Sequence, residues 1–250
     1  MKPIEISAVI LCCVLAGALA GMALRTLLPK HHLDADTRDL VKLGVGLIGT
    51  MSALLLGLLV SSTKASYDAR RTELTQIAAT AILLDRALAH FGPETADARA
   101  ALREAAEAMR QSTWSQSDQA RGGVAAVVGR EVMFDKIQEL VPHSDAQHAL
   151  QAQAVSLAVA LGQTRWLLFA QSGTSISTPF LVVVVFWLTA LFVSFGLFAP
   201  RNATAVTALV VSAISVAGAL FLVLELDQPF SGIMQLSDAP LRDAIAVLGR

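Results

Sequence analysis

Aromatic residues make up only 6% of this 250-residue chain, and tyrosine occurs once. That leaves few flat side chains on which nucleobases could stack. Charge excludes nucleic acid as a partner on a second ground: 19 Lys and Arg stand against 20 Asp and Glu, a formal net charge of −1 with no basic excess. Cysteine is nearly absent. Cys12 and Cys13 are neighbours inside an apolar run, so they do not readily bridge each other and read as small buried hydrophobes, with no disulfide framework. No Gly-rich phosphate loop, nucleophile elbow or HExxH pattern is present, so no enzyme is expected. The histidines are His31, His32, His90, His143 and His148. The last two are spaced so that they share no helix face, and neither a metal nor a cofactor is expected.

What the chain has in excess is apolar length. It is 54% hydrophobic, with a mean hydropathy of +0.59. Two runs, Phe180 to Phe198 and Ala203 to Leu226, are separated only by Ala199-Pro200-Arg201-Asn202. That turn permits an antiparallel helical hairpin and little else, and about 20 apolar residues match the hydrocarbon thickness of a bilayer. Ile4 to Leu24 forms another span, apolar apart from Glu5 and Ser7. Ala18-Leu19-Ala20 also fits a signal-peptide cleavage site, but the run exceeds a usual signal core, which favours a retained anchor. Leu43 to Ser61 is the second span, free of charge and carrying Gly44, Gly46, Gly49 and Gly57. In membrane helices such glycines let backbones approach closely.

Lys2, Lys64, Arg70, Arg71, Arg165 and Arg242 fall on one side of these spans, and Arg25, Lys30, Arg38, Lys42 and Arg201 on the other. The slight excess leans towards a cytoplasmic central region. The expectation is an all-α integral membrane protein with four spans. It divides into residues 1–61 (two spans), 62–173 (a polar helical region), 174–227 (two spans) and 228–250 (a C-terminal amphipathic helix).

In the polar region Leu74, Ile77, Ala81, Leu84 and Leu88 recur at spacings of three and four, and the same phase reaches back to Tyr67 and Val60. That reads as a seam of coiled-coil type. No helix breaker lies between Gly57 and Gly92-Pro93, so one rod is predicted, projecting about 45 Å from Ser61 to Phe91. Further helices are expected over Glu94 to Gln111, ending before Ser112, and over Val124 to Leu140. The next is capped by Ser144, with Leu150, Ala154, Leu157, Leu161 and Leu168 on one stripe and Trp166 and Phe169 as interface anchors. Ser237 to Leu248 reads as a short helix that lies on the membrane surface or docks on the central helices.

Two constellations are candidates for function. One face of the second span carries Gly46, Thr50, Ala53, Gly57 and Ser61, and another carries Leu47, Met51, Leu54 and Leu58. A small, partly hydroxylated face either packs helices tightly or lines an axial pathway in a ring of subunits. In the pore reading the Leu face packs outward; the reverse arrangement makes Met51 and Leu54 a hydrophobic constriction. Glu225 and Asp227 end the fourth span, as ordinary flanking residues, a cation site or an ion pair with Arg242.

Several stretches carry a resemblance: Ser61 to Tyr67; Pro179-Phe180 with Val184 to Leu188; Phe195 to Thr204, which holds the turn Ala199-Pro200-Arg201-Asn202-Ala203-Thr204; Leu224 to Gly232; and Ala239 to Arg242. Together they resemble the bacterial bestrophin-like membrane proteins, and more distantly the bestrophins, which are pentameric anion channels. The resemblance implies a bacterial inner-membrane location, a homo-oligomer (pentameric by analogy), and a pore lined by the second span. True bestrophins narrow that pore with aromatic residues, yet no Phe lies between Leu43 and Ser66. Their acidic calcium clasp has no counterpart here beyond Glu225 and Asp227. The expected partners are the lipid bilayer, further copies of the chain, and ions. The competing expectation is a non-conducting scaffold or sensory adaptor whose long cytoplasmic helices bind a partner.

Overall fold

A computed structural model describes residues 3–29, 34–114, 132–170, 176, 178–200 and 202–250, without the side chains of 169 and 170. All regular structure among the described residues is helical. In chain order the helices are α1 (Pro3–Leu27), α2 (Ala35–Phe91), α3 (Ala96–Trp114), α4 (132–138), α5 (Asp145–Ala170), α6 (Thr178–Phe198), α7 (Ala203–Leu226) and α8 (Ala239–Val247). A single 3-10 turn, Pro93–Thr95, separates α2 from α3. Four helices, α1, α2, α6 and α7, are long and apolar enough to cross a membrane. The expected helix start at Gly122-Gly123 lies outside the described residues. Contacts divide the chain into two units: residues 1–67, 174–228 and 232–234, and residues 68–173, 229–231 and 235–250.

In the first unit Ile10, Val14 and Ala18 of α1 pack with Val184, Leu188 and Phe192 of α6 and with Ala213 and Leu220 of α7. The tightest approach is between α1 and α6. A Cβ on Gly21 would overlap the backbone of Val193, and one on Gly196 the backbone of Ala18. Small residues that let backbones meet are the means by which helices associate in an apolar solvent, where hydrophobicity supplies no drive. The second span's glycines do not serve this purpose within the chain. Gly44, Gly46 and Gly57 face open space, and a Cβ added to Gly49 would meet only an ordinary contact, 3.9 Å from the Leu191 side chain. The expected burial of the cysteines is also corrected: Cys12 is exposed and Cys13 half-buried, because α1 turns Val14 and Gly17 inward instead.

The α6–α7 turn is held from three sides. Asn202 caps α7 by accepting a hydrogen bond from the Ala205 N–H at 2.8 Å. Arg25 donates to the Ala199 carbonyl. The Arg38 guanidinium lies 5.7 Å over the Phe198 ring.

In the second unit the seam of α2 is consumed by the chain itself. Ile77, Ala81, Leu84 and Leu88 pack with Leu102 and Met109 of α3, Met133 and Ile137 of α4, Ala154 and Ala158 of α5, and Leu241 and Leu248. It is therefore not free to bring like helices of different subunits together. Its backward phase is corrected too: the buried positions are Leu59, Thr63, Arg70 and Leu74, whereas Val60 is 45% exposed. The C-terminal helix docks here through Leu241, Ile245 and Leu248. The Trp114 indole donates to the Leu236 carbonyl at 2.8 Å.

Local signals were largely met at the helix ends. Ser144 accepts from the Gln147 N–H at 3.2 Å, and the Gln147 side chain accepts from the His143 N–H at 2.8 Å. Thr95 closes the end of α2 by donating to the Leu88 and Gly92 carbonyls. One boundary differs: α3 runs past Gln111 to Trp114. The Ser112 and Thr113 hydroxyls donate to the Met109 carbonyl and are satisfied inside the helix.

Among the described residues of this unit Asp85 is the most deeply buried carboxylate, at 1% exposure. It receives Arg99 on both oxygens, at 2.8 and 3.0 Å, and the Gly249 N–H at 3.2 Å. The same Arg99 donates to the Arg250 carbonyl at 2.8 Å. The Asp85 hydrogen bond raises the guanidinium still further above its ordinary pKa.

Two outcomes follow for stability in detergent. Gly196→Ala should cost about 1–3 kcal/mol by overpacking and lower the thermal midpoint, while Gly57→Ala leaves it unchanged; equal midpoints would contradict the close α1–α6 approach. Asp85→Ala strands Arg99 and should cost about 3 kcal/mol in chemical denaturation, with faster amide exchange at Gly249.

Candidate functional site

An α-helix of 3.6 residues per turn divides the apolar part of α2 into three stripes. Ser52, Leu59 and Thr63 are buried, and Val45, Ile48, Leu55 and Leu56 pack partly against the first unit's core. This stripe was not singled out in the sequence. The helix is apolar almost all round, so no polar contrast marks the face that packs. The only hint is that it alternates bulky side chains with Ser52 and Thr63, a weak signal.

The other two stripes are those the spacing predicts, and both stand clear of the chain's own core. Gly46, Thr50, Ala53, Gly57 and Ser61 are exposed. So are Leu47, Met51, Leu54 and Leu58, with Leu54 at 75%. The Thr50 hydroxyl donates to the Leu47 carbonyl at 2.8 Å, which satisfies its proton within the helix. Packing against the same chain therefore does not account for the small stripe. It faces either lipid, another subunit or water. Gly and Ala offer lipid little dispersion contact, whereas Leu offers much.

Glu225 and Asp227 are not solvated flanking residues. They are 3% and 6% exposed. The Glu225 carboxylate turns back on the loop that follows α7 and accepts from the Ile233 N–H at 2.7 Å and the Met234 N–H at 3.3 Å. Gly232 makes this possible. Its φ of +87° is open to glycine, and a Cβ there would collide with the Glu225 carboxylate. Arg242 sits on α8, largely exposed, with its Nε 3.9 Å from Asp243. Among the described residues no three His, Cys, Asp or Glu side chains converge. Glu225 thus already has a use, as the clamp of residues 228–234. Glu225→Ala should free that loop, raising amide exchange at Ile233 and Met234 by about tenfold for a loss near 1.4 kcal/mol. Glu225→Gln keeps an acceptor oxygen and should show a smaller rise.

The comparisons with known proteins agree with this architecture. In fold the chain is similar to a bacterial bestrophin homologue from Klebsiella pneumoniae, seen in two point-mutant crystal structures. One has a TM-score of 0.67 at 12% identity, covering 95% of this chain and 98% of the other. The second has a TM-score of 0.66 at 14% identity, covering 95% and 96%. At such identities the likeness is one of fold alone. No curated protein matches the chain in sequence. The model of the bestrophin-like domain matches residues 12–241, and the chain therefore belongs to the bestrophin-like family.

Proposed function

We propose that the chain is the subunit of a homo-oligomeric ion channel of the bacterial inner membrane. In this reading α1, α2, α6 and α7 cross the bilayer, the polar helices lie on the cytoplasmic side, and copies of α2 surround the axis. Gly46, Thr50, Ala53, Gly57 and Ser61 face the path. Family resemblance favours five subunits and an anion as the permeating species. Glu225, Asp227 and Arg242 enter this reading as supports of the post-α7 loop and α8, and as a cation site only if one is demonstrated.

One observation carries the proposal. The charge-free part of α2, Leu43 to Ser61, buries about a third of its circumference and leaves a stripe of glycine, alanine and hydroxyl exposed beside a stripe of leucine and methionine. In a ring the small stripe leaves room at the axis and offers Thr50 and Ser61 oxygens to a partly dehydrated ion, while the bulky stripe packs on the neighbouring subunit. The α2 seam is buried in the chain's own core and brings no like helices together, so the channel rests on the small stripe alone; the competing reading is a non-conducting scaffold or sensory adaptor whose long cytoplasmic helices bind a partner.

The test is cysteine accessibility in reconstituted liposomes, in a background where Cys12 and Cys13 are replaced by alanine. Thiol-reactive cations and anions should block flux through Thr50→Cys and Gly57→Cys and leave Leu58→Cys conducting. Block at Met51→Cys and Leu54→Cys with silence at Thr50→Cys reverses the two faces. Absence of flux under every voltage, pH and calcium condition, or a dimeric mass in detergent, overturns the channel.

A further inference from the structure

At one end of the first unit α1 stops at Leu27, α6 at Phe198, and α7 begins at Ala203. Two arginines from different helices meet the chain there. Arg25, in the last turn of α1, donates to the Ala199 carbonyl. Arg38, in the first turns of α2, lies 5.7 Å over the ring of Phe198. Phe198 and Ala199 are neighbours, so one turn gathers both guanidiniums. A carbonyl and an aromatic ring leave most of the five N–H donors of each fork unspent, and both arginines are exposed.

Among the described residues neither arginine has a carboxylate within ion-pair distance. Neither the turn 199–204 nor the stretch 26–33 contains an Asp or Glu. The nearest acids in sequence, Asp34, Asp36 and Asp39, are placed otherwise. Asp34 accepts from the Thr37 N–H at 3.0 Å, at the start of α2. Asp39 is held by the Lys42 ammonium at 2.8 Å. Asp36 precedes Arg38 by two residues, about 200° around the helix.

The level of the pair along the helices points to its anion. α1, α6 and α7 are each long and apolar enough to cross a membrane, and charge at the end of such a span meets the lipid headgroups. Phosphate is the anion that headgroups carry, and a guanidinium fork fits two phosphate oxygens at once. Exposed apolar surface adjoins the pair: Leu24 precedes Arg25 and is 41% exposed, and Phe195, one turn before Ala199, is 46% exposed. We propose that Arg25 and Arg38 bind the phosphate of a membrane phospholipid, whose acyl chain lies along Leu24 and Phe195. The inference rests on α1, α6 and α7 crossing the bilayer as proposed above, and not on where the pore runs.

Equilibrium binding of a fluorescent phosphatidylglycerol to the delipidated protein in a neutral detergent tests this. Arg25→Gln and Arg38→Gln should each weaken binding by about tenfold, the lower end of what a hydrogen bond to a charged group is worth. Arg38→Lys should lose less, because it keeps the charge without the fork. Arg103→Gln, an exposed arginine on α3, is the control and should bind as the wild type does. Diacylglycerol with the same acyl chains and inorganic phosphate should each compete weakly, since each offers half of the ligand. Wild-type affinity in the folded Arg25→Gln, Arg38→Gln double variant overturns the site. Equal competition by diacylglycerol overturns the headgroup contact, and equal competition by inorganic phosphate overturns the lipid. Where the double variant does not fold, the wild type decides alone: added sodium chloride should weaken phosphatidylglycerol binding, and indifference to salt overturns the site. A chain that stays monodisperse in buffer without detergent overturns the spans and the site together.

Discussion

Everything in this molecule depends on α2 burying one side and only one side. Its inner stripe runs through Ser52, Leu59, Thr63, Arg70, Leu74, Ile77, Ala81, Leu84 and Leu88, all buried. Within each unit that stripe sets the rotation of the helix. The remaining two thirds of its circumference must then face whatever surrounds the chain. Among the described residues nothing covers Leu47, Leu54 or Leu58. In the first unit the same rotation presents Gly46, Thr50 and Gly57 on a common side. Oligomerisation and ion conduction are readings of this one asymmetry.

The helices themselves were legible in the sequence because their signals are local. Apolar length marked four of them, Ser144 acted as a cap where a hydroxyl suits a helix start, and Gly92-Pro93 ended the long rod. The seam from Leu74 to Leu88 was legible as a buried stripe, but its partner was not. Period reports that a face is covered and says nothing of whether a sister subunit or the same chain covers it. The Val60 phase failed for a related reason. Where the helix becomes apolar all round, a three-four pattern can be continued along more than one track.

The glycines teach the same point from the other side. Gly44, Gly46 and Gly57 look in sequence like the small residues of a tight helix pair, yet it is Gly21 and Gly196 whose missing Cβ atoms are occupied by a neighbouring backbone. Nothing within α1 or α6 alone distinguishes them, because close approach is a property of two helices at once. The burial of Glu225 was not legible for a comparable reason. Its place at the end of an apolar run reads as solvated, but Gly232, with positive φ, brings two backbone N–H groups to it. A carboxylate that accepts from main-chain donors can be buried at tolerable cost, whereas an unpaired one cannot.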